Sequence, residues 1–356
     1  MRVRATLLML LFALLLSGCE TVGFYAQAAS GHLELMRDRR SVEAVITDPA
    51  TPPELRERMQ LTREILTFAE AELALPARGQ YRHFVDLERD AVVYNVMAAP
   101  RFSFDPVLWC FPIAGCVAYR GYFARHRAEE KASRLAEQGF DTHVGGAAAY
   151  STLGWFSDPL LSSFLWREEA DLAELLFHEL AHVRVYLPGD TTFNESFATF
   201  VGREGARRWL GRNGRDAERA AWQARIRVRE DFVRFVLEWR EHMQQRYREL
   251  AEDGADAELL EHEREAMWAA MRAAWQAGRA PEAAGFDAFF AAEASNARLN
   301  AVADYHGLLP AFTALFAAEG EDFEAFHAAV EDLAALAPEA RAAQLEELAR
   351  AYDSSR

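Results

Sequence analysis

Apolar positions recur in several distinct rhythms along the chain, and each predicts a different kind of element. Ala5 to Leu16 is an almost unbroken apolar run, too short to span a bilayer comfortably. Ser30 to Arg40 predicts a helix, Asp48-Pro49-Ala50-Thr51-Pro52-Pro53 breaks it, and Glu54 to Leu73 predicts a second. In that second helix Leu55, Met59, Thr62, Ile65, Leu66 and Ala69 recur at helical spacing, so the pair is expected to pack as a hairpin on the main body.

From Ala91 the period shortens. Ala91 to Val96 and Cys116 to Tyr119 carry the β-branched and aromatic residues of strands. Ala124 to Gln138 reads as a charged amphipathic helix closed by Gly139, and Phe140 to Val144 and Ala147 to Leu153 predict two further strands with Gly145-Gly146 between them. Glu168 to Leu187 then predicts a long helix stopped by Pro188-Gly189. Beyond Gly205 the pattern is almost wholly helical, with long stretches over Asp216 to Leu250 and Asp256 to Ala277. The order β, α, β, β, α predicts an α+β unit in which a small mixed sheet backs a helix, flanked by helical N-terminal and C-terminal segments. The expected division is a leader over 1–18, an N-terminal helical segment over 19–90, the α+β unit over 91–205 and a helical region over 206–356. The last is expected to complete one wall of a cleft.

Charge removes one class of partner. Acidic residues outnumber basic ones 55 to 39, a formal net charge of −16, which leaves no broad basic face for nucleic-acid phosphates. The N-terminus points instead to a membrane. Met1-Arg2-Val3-Arg4, the apolar run and then Ser17-Gly18 have the form of an export signal, and Leu16-Ser17-Gly18-Cys19 resembles a bacterial lipobox. That resemblance implies lipidation of Cys19 as the first mature residue. Glu20, rather than the aspartate associated with inner-membrane retention, implies an outer-membrane lipoprotein facing the periplasm. Several acyl chains together would hold it firmly. In that oxidising compartment the two remaining cysteines, Cys110 and Cys116, are expected to form a disulfide closing a small loop.

The chemistry lies in His178-Glu179-Leu180-Ala181-His182. Histidines four apart share one helical face and can reach one metal ion, while the intervening Glu179 is rotated off the ligand line and can act as a general base on a water. Catalytic zinc takes three protein ligands and keeps a position for water. Val185 and Pro188 exclude the metzincin pattern, leaving Asp190 and Glu195 as candidates for the third ligand. Glu195 is favoured, because Phe193 to Phe200 reads as the first turns of a second helix, capped by Asn194 and turned back by Pro188-Gly189. Tyr150, Tyr305 and His306 are candidates for stabilising an oxyanion, whereas His32, His83, His242 and His327 have no ligand partner at useful spacing.

Two histidines and a glutamate look like the gluzincin plan, with two departures. Only twelve residues separate His182 from Glu195, and Thr199 stands where those enzymes carry an aspartate that orients the first histidine. More closely, Trp109 to Phe123, Ala149 to Phe156, the motif helix and Gly189 to Phe200 resemble a family of zinc-dependent aminopeptidases found as bacterial lipoproteins. The likeness spans nearly all of the mature chain and is densest from Trp109 to Leu210. It implies a zincin-like fold, Zn2+, an envelope location and a peptide substrate. In zincin-like folds an edge strand beside the motif helix pairs with extended substrate, a part that Tyr150-Ser151-Thr152-Leu153 is placed to play, with Gly145-Gly146 and Ala147 to Ala149 allowing close approach. The sequence singles out no carboxylate to grip a free amine, so a metalloendopeptidase stays open. A non-catalytic envelope chaperone or assembly factor with a retained zinc site is the rival of another class. No feature sets the oligomeric state.

Overall fold

The computed structural model describes residues 21–112, 114–149, 157–212 and 215–354. The expected leader, Cys19, Tyr150 and the predicted strand residues 151–153 lie outside them. Helices predominate and the sheets are small, so the α+β class holds.

The two predicted N-terminal helices attach to different parts of the body. The helix over 21–37 lies on the sheet: Gln27 accepts from the Phe123 amide at 3.1 Å, and a side chain at Gly31 would run into the Phe123 ring. The helix Pro53–Glu72 packs instead on the motif helix, with the Phe68 and Phe177 rings 5.9 Å apart.

The sheet that positions the site has Val93–Pro100 at its centre, with Tyr119–Tyr122 and Phe140–Ala147 antiparallel on either side. Here the strand pattern needs correction. Gly145 and Gly146 do not separate two strands; they sit inside one, in register with Asn95 and Tyr94. Glycine there serves close packing, since a Cβ at Gly146 would come within 3.1 Å of the Ala91 Cβ. Cys116 to Tyr119 likewise divides. Gly115–Val117 forms a hairpin with Trp109–Phe111, and the next strand, Tyr119–Tyr122, joins the sheet. A separate mixed sheet joins Arg40–Ser41, His83–Val85 and Leu160–Leu161. The helix Arg125–Glu137 covers the antiparallel sheet by burying Ala128, Ala132 and Leu135 on Val96, Ala98 and Tyr122.

The C-terminal region is helical, led by Asp216–Glu252 and Ala257–Gly278 around a core that includes Phe232, Val236, Trp268, Trp275 and Phe290. From it the helix Asn296–His306 reaches across to the sheet and to the motif region. Its first residue is fixed there: the Asn296 side-chain amide donates to the carbonyls of Pro100, Arg101 and Ser103 at 3.0–3.2 Å.

Candidate metal centre

The motif helix is Glu169–Arg184. Glu169 and Asp171 in its first turn suit the helix dipole, and Leu172, Ala173, Leu176, Phe177, Leu180 and Ala181 bury one broad face. The chain then turns at Pro188-Gly189, where Gly189 takes a φ of +88° that only glycine adopts readily. A second helix, Thr191–Gly211, returns along the first, and the two pack closely at Gly202. A Cβ there would lie 2.6 Å from the Glu174 carbonyl oxygen and 3.3 Å from the His178 Cβ.

The turn is braced from outside. The disulfide-closed hairpin, Cys110 to Cys116, presses on it: the Gly189 amide donates to the Ala114 carbonyl at 3.1 Å, and a Cβ at Gly115 would collide with the Gly189 nitrogen. The Asn194 side chain spans the turn, accepting from the Leu187 amide and donating to the Leu187 carbonyl, each at 2.8 Å. Asn194 is therefore not the cap of the second helix. Asp190 is, with its Oδ1 accepting from the Phe193 amide at 3.0 Å. Its Oδ2 meets Arg341 at 3.2 Å, so both oxygens are committed away from the histidines.

Glu195 is the carboxylate that reaches them. Its Oε2 lies 3.3 Å from His178 Nε2 and 3.5 Å from His182 Nε2, and the two Nε2 atoms are 3.2 Å apart. A tetrahedral ion with bonds of about 2.0–2.1 Å sets its ligand atoms about 3.3 Å from one another. The three side chains fit that edge length, and Glu195 Oε2 is buried without a hydrogen bond. These three residues could hold a metal ion. Burial disfavours charge on both His182 and Glu195, but their mutual attraction outweighs it. The Glu195 carboxyl is held well below its ordinary range, with His178 contributing, and His182 is raised above its own. The neighbouring Glu179 is pushed up by burial and drawn partly back by the two histidines.

The centre opens into a cleft of about 540 Å³. Gly146 and Ala147 to Ala149 form one side, Glu174, His178 and Glu179 of the motif helix another, and Tyr305 and His306 a third. Among the described residues, the outer edge of Phe140–Ala147 pairs with no other strand. Tyr305 stacks on His178, ring centroids 6.0 Å apart and planes 13° apart, and the Glu195 carboxylate and burial keep its phenol protonated far above the usual value. His306 borders the same cleft, and Thr199 also lines it.

Four contributors escaped the sequence reading. Tyr119 and Tyr186 are both raised by burial and then by Glu195, which places them in the field of the same carboxylate. Asp304 accepts from Thr192 Oγ1 at 2.9 Å, while its carbonyl accepts from Ser196 Oγ at 3.0 Å, locking the Tyr305 helix onto the Glu195 helix. Burial lifts its carboxyl to about 6. The fourth is Arg203, a largely buried guanidinium in the cleft wall. None belongs to a local motif, so spacing alone gives no signal for them.

The family model described as "Putative aminopeptidase" matches residues 23–345. No curated protein and no solved structure matches the chain.

Proposed function

The chain belongs to this aminopeptidase family, and on that premise we propose that it is a zinc-dependent peptidase of the bacterial periplasm, removing residues from peptide amino termini. Leu16-Ser17-Gly18-Cys19 supports anchoring to the outer membrane through lipid on Cys19. The observation that carries the hydrolytic reading is the convergence of His178, His182 and Glu195 beside a cleft that His178 and Glu179 line. Two nitrogens and one carboxylate oxygen are the donor set of a catalytic zinc site, and zinc, when bound, supplies a Lewis acid that lowers the pKa of water to about 7.

The chain's own groups do the rest. Glu179, adjacent to a ligand and off its line, takes the proton from the attacking water and passes it to the departing amine. Tyr305 keeps its proton under the influence of Glu195 and is placed beside His178 to donate to the developing oxyanion. An extended peptide pairs its main chain with the outer edge of Phe140–Ala147, which no other described strand covers.

Glu179→Gln keeps the shape and removes the base. Peptide turnover is expected to fall by about 10²–10⁴-fold while the protein still binds one equivalent of zinc. Mass spectrometry of a mixed peptide library, with and without chelator, checks this; hydrolysis by the variant at the unsubstituted rate would rule the mechanism out.

One observation favours an endopeptidase. Besides Glu179, the cleft carboxylates Glu168, Asp171 and Glu174 all pair with arginines, which leaves none committed to a free amine. Free and N-acetylated forms of one peptide separate the readings, since equal rates exclude a strict aminopeptidase.

A further inference from the structure

Two of the guanidinium groups that line the cleft share a single carboxylate. Arg203 and Arg229 both line that cleft, together with His178, Glu179 and Tyr305. Arg203 follows Gly202 on the helix that carries Glu195, so its side chain starts where the two ligand helices touch. Arg229 comes from the long helix Asp216–Glu252. Glu174 is their common partner, 3.1 Å from Arg229 Nη1 and 3.9 Å from Arg203 Nε.

Arg203 is poorly matched for a buried cation. Its side chain is only 11% exposed, yet its second carboxylate, the half-exposed Glu230, stands 3.8 Å away. Charge-assisted hydrogen bonds run at about 2.7–2.9 Å, and neither contact reaches that range. Arg203 Nε is buried without a hydrogen-bond partner, while its Nη2 meets only the imidazole of His306, whose Nδ1 lies 3.4 Å away. Burial and the two arginines push His306 down to about 3, so it brings no compensating charge of either sign. Of the other carboxylates lining the cleft, Glu168 and Asp171 are drawn to Arg225, at 2.8 and 3.3 Å, and Glu179 is assigned the general-base role. A guanidinium offers five N–H donors in a planar fork that matches a carboxylate, and an incompletely paired buried cation is costly. A ligand carboxylate beside this pair would supply what the protein lacks.

We propose that Arg203 and Arg229 form a carboxylate subsite of the peptide cleft. It takes either the α-carboxylate of a short peptide or the acidic side chain of a residue close to the scissile bond. The proposal rests on the peptide-hydrolase reading and narrows its substrates to peptides that present such a group. Arg203 and His306 also border a second cavity, of about 840 Å³, so the pair forms the wall between the two spaces.

The test is calorimetric binding to the zinc-loaded Glu179→Gln protein, in which turnover does not intervene. Three probes are used: trialanine as the free acid, trialanine amide, and Ala-Glu-Ala amide. At least one carboxylate-bearing probe is expected to bind tenfold or more tightly than trialanine amide. Preference for the free acid assigns the α-carboxylate, and preference for the glutamyl peptide assigns the side chain. Adding Arg229→Gln or Arg203→Gln should shrink that preference to threefold or less. Where a melting curve shows that the Arg203 variant fails to fold, the partly exposed Arg229 decides. Equal affinities, no detectable binding of any probe, or a preference that survives substitution of Arg229 would each overturn the subsite. Chelator-sensitive turnover of a mixed library of free-acid, amidated and glutamyl peptides by the unsubstituted protein judges the hydrolase reading separately. Turnover without carboxylate preference removes only the subsite; preference without turnover removes only the hydrolase.

Discussion

Tyr305 shows how far single side chains can be read from sequence. His178, Glu179 and His182 were legible because their relation is local: a four-residue spacing on a helix fixes a shared face. Glu195 was legible as a preference over Asp190, and what settles the geometry is Arg341, some 150 positions away, which occupies one oxygen of Asp190. Tyr305 could be named only as one of several candidates, because its approach to His178 is set entirely by tertiary packing. Of the other two, His306 lines the cleft, and Tyr150 lies outside the described residues. Tyr305→Phe removes one oxygen and keeps the ring stacked on His178. If the hydroxyl serves the oxyanion, kcat should fall by about 10²–10³-fold with KM within twofold and zinc stoichiometry unchanged. Steady-state kinetics with metal analysis measures this. An unaltered kcat would leave the ring a packing role alone.

At the scale of elements, the working unit is a pair of helices and the turn between them. The sequence announces both helices and the Pro188-Gly189 turn, but places the cap at Asn194 where Asp190 performs it. The two residue types have the same capping chemistry, and only the turn's path shows Asn194 holding both polar groups of Leu187. The closeness of the helices is invisible in spacing too, since a mid-helix glycine costs helix stability wherever it stands. Gly202 is there because the Glu174 carbonyl lies against it. Gly202→Ala raises helix propensity but puts a methyl where 2.6 Å is available against backbone, so the helices must part. The net effect should be a loss of about 1–3 kcal/mol in stability. Because the same displacement carries Glu195 away from His178 and His182, zinc affinity should drop by about 10–100-fold, comparable to losing an outer-shell support. Denaturant melts and competition with a chromogenic chelator report the two effects. A destabilised variant with unchanged zinc affinity would mean that the ligand geometry does not depend on this contact.

At the scale of the whole molecule, long-range pairs hold the walls of the cleft, and these are what a sequence conceals. Asp141 on the edge strand receives Arg264 from the helix Ala257–Gly278 at 2.8–2.9 Å and the Asn296 amide at 2.8 Å, so the strand, that helix and the Tyr305 helix meet at one buried carboxylate. Nothing at either position distinguishes it from a solvated charge until the fold brings them together. His327 is the same lesson for a residue set aside as a bystander. It is not among the three residues that could hold a metal ion. It is fully buried among Phe197, Phe323 and Phe326, with Nε2 3.0 Å from the Leu73 carbonyl, and so ties the C-terminal helix Phe323–Ala335 to the end of Pro53–Glu72. Burial, aided by Arg184 and opposed by the Leu73 carbonyl, pushes its pKa down from 6.5 to about 4. A group that is neutral when folded and protonates more readily when unfolded gives the unfolded chain more bound protons between those two values. Stability is therefore intact above pH 6.5 and declines as pH falls toward 4, by on the order of 3 kcal/mol at the lower end for this residue. His143, pushed down by burial to about 4, acts in the same sense, so the unsubstituted protein should lose more than this. His327→Gln keeps a donor for Leu73 without an ionisable ring. It should be less stable at pH 7.5 for want of ring packing, yet lose less between pH 6.5 and 4. Urea melts at half-unit steps across that window compare the slopes, and parallel curves for the two proteins would show that the His327 proton is not what acid exploits.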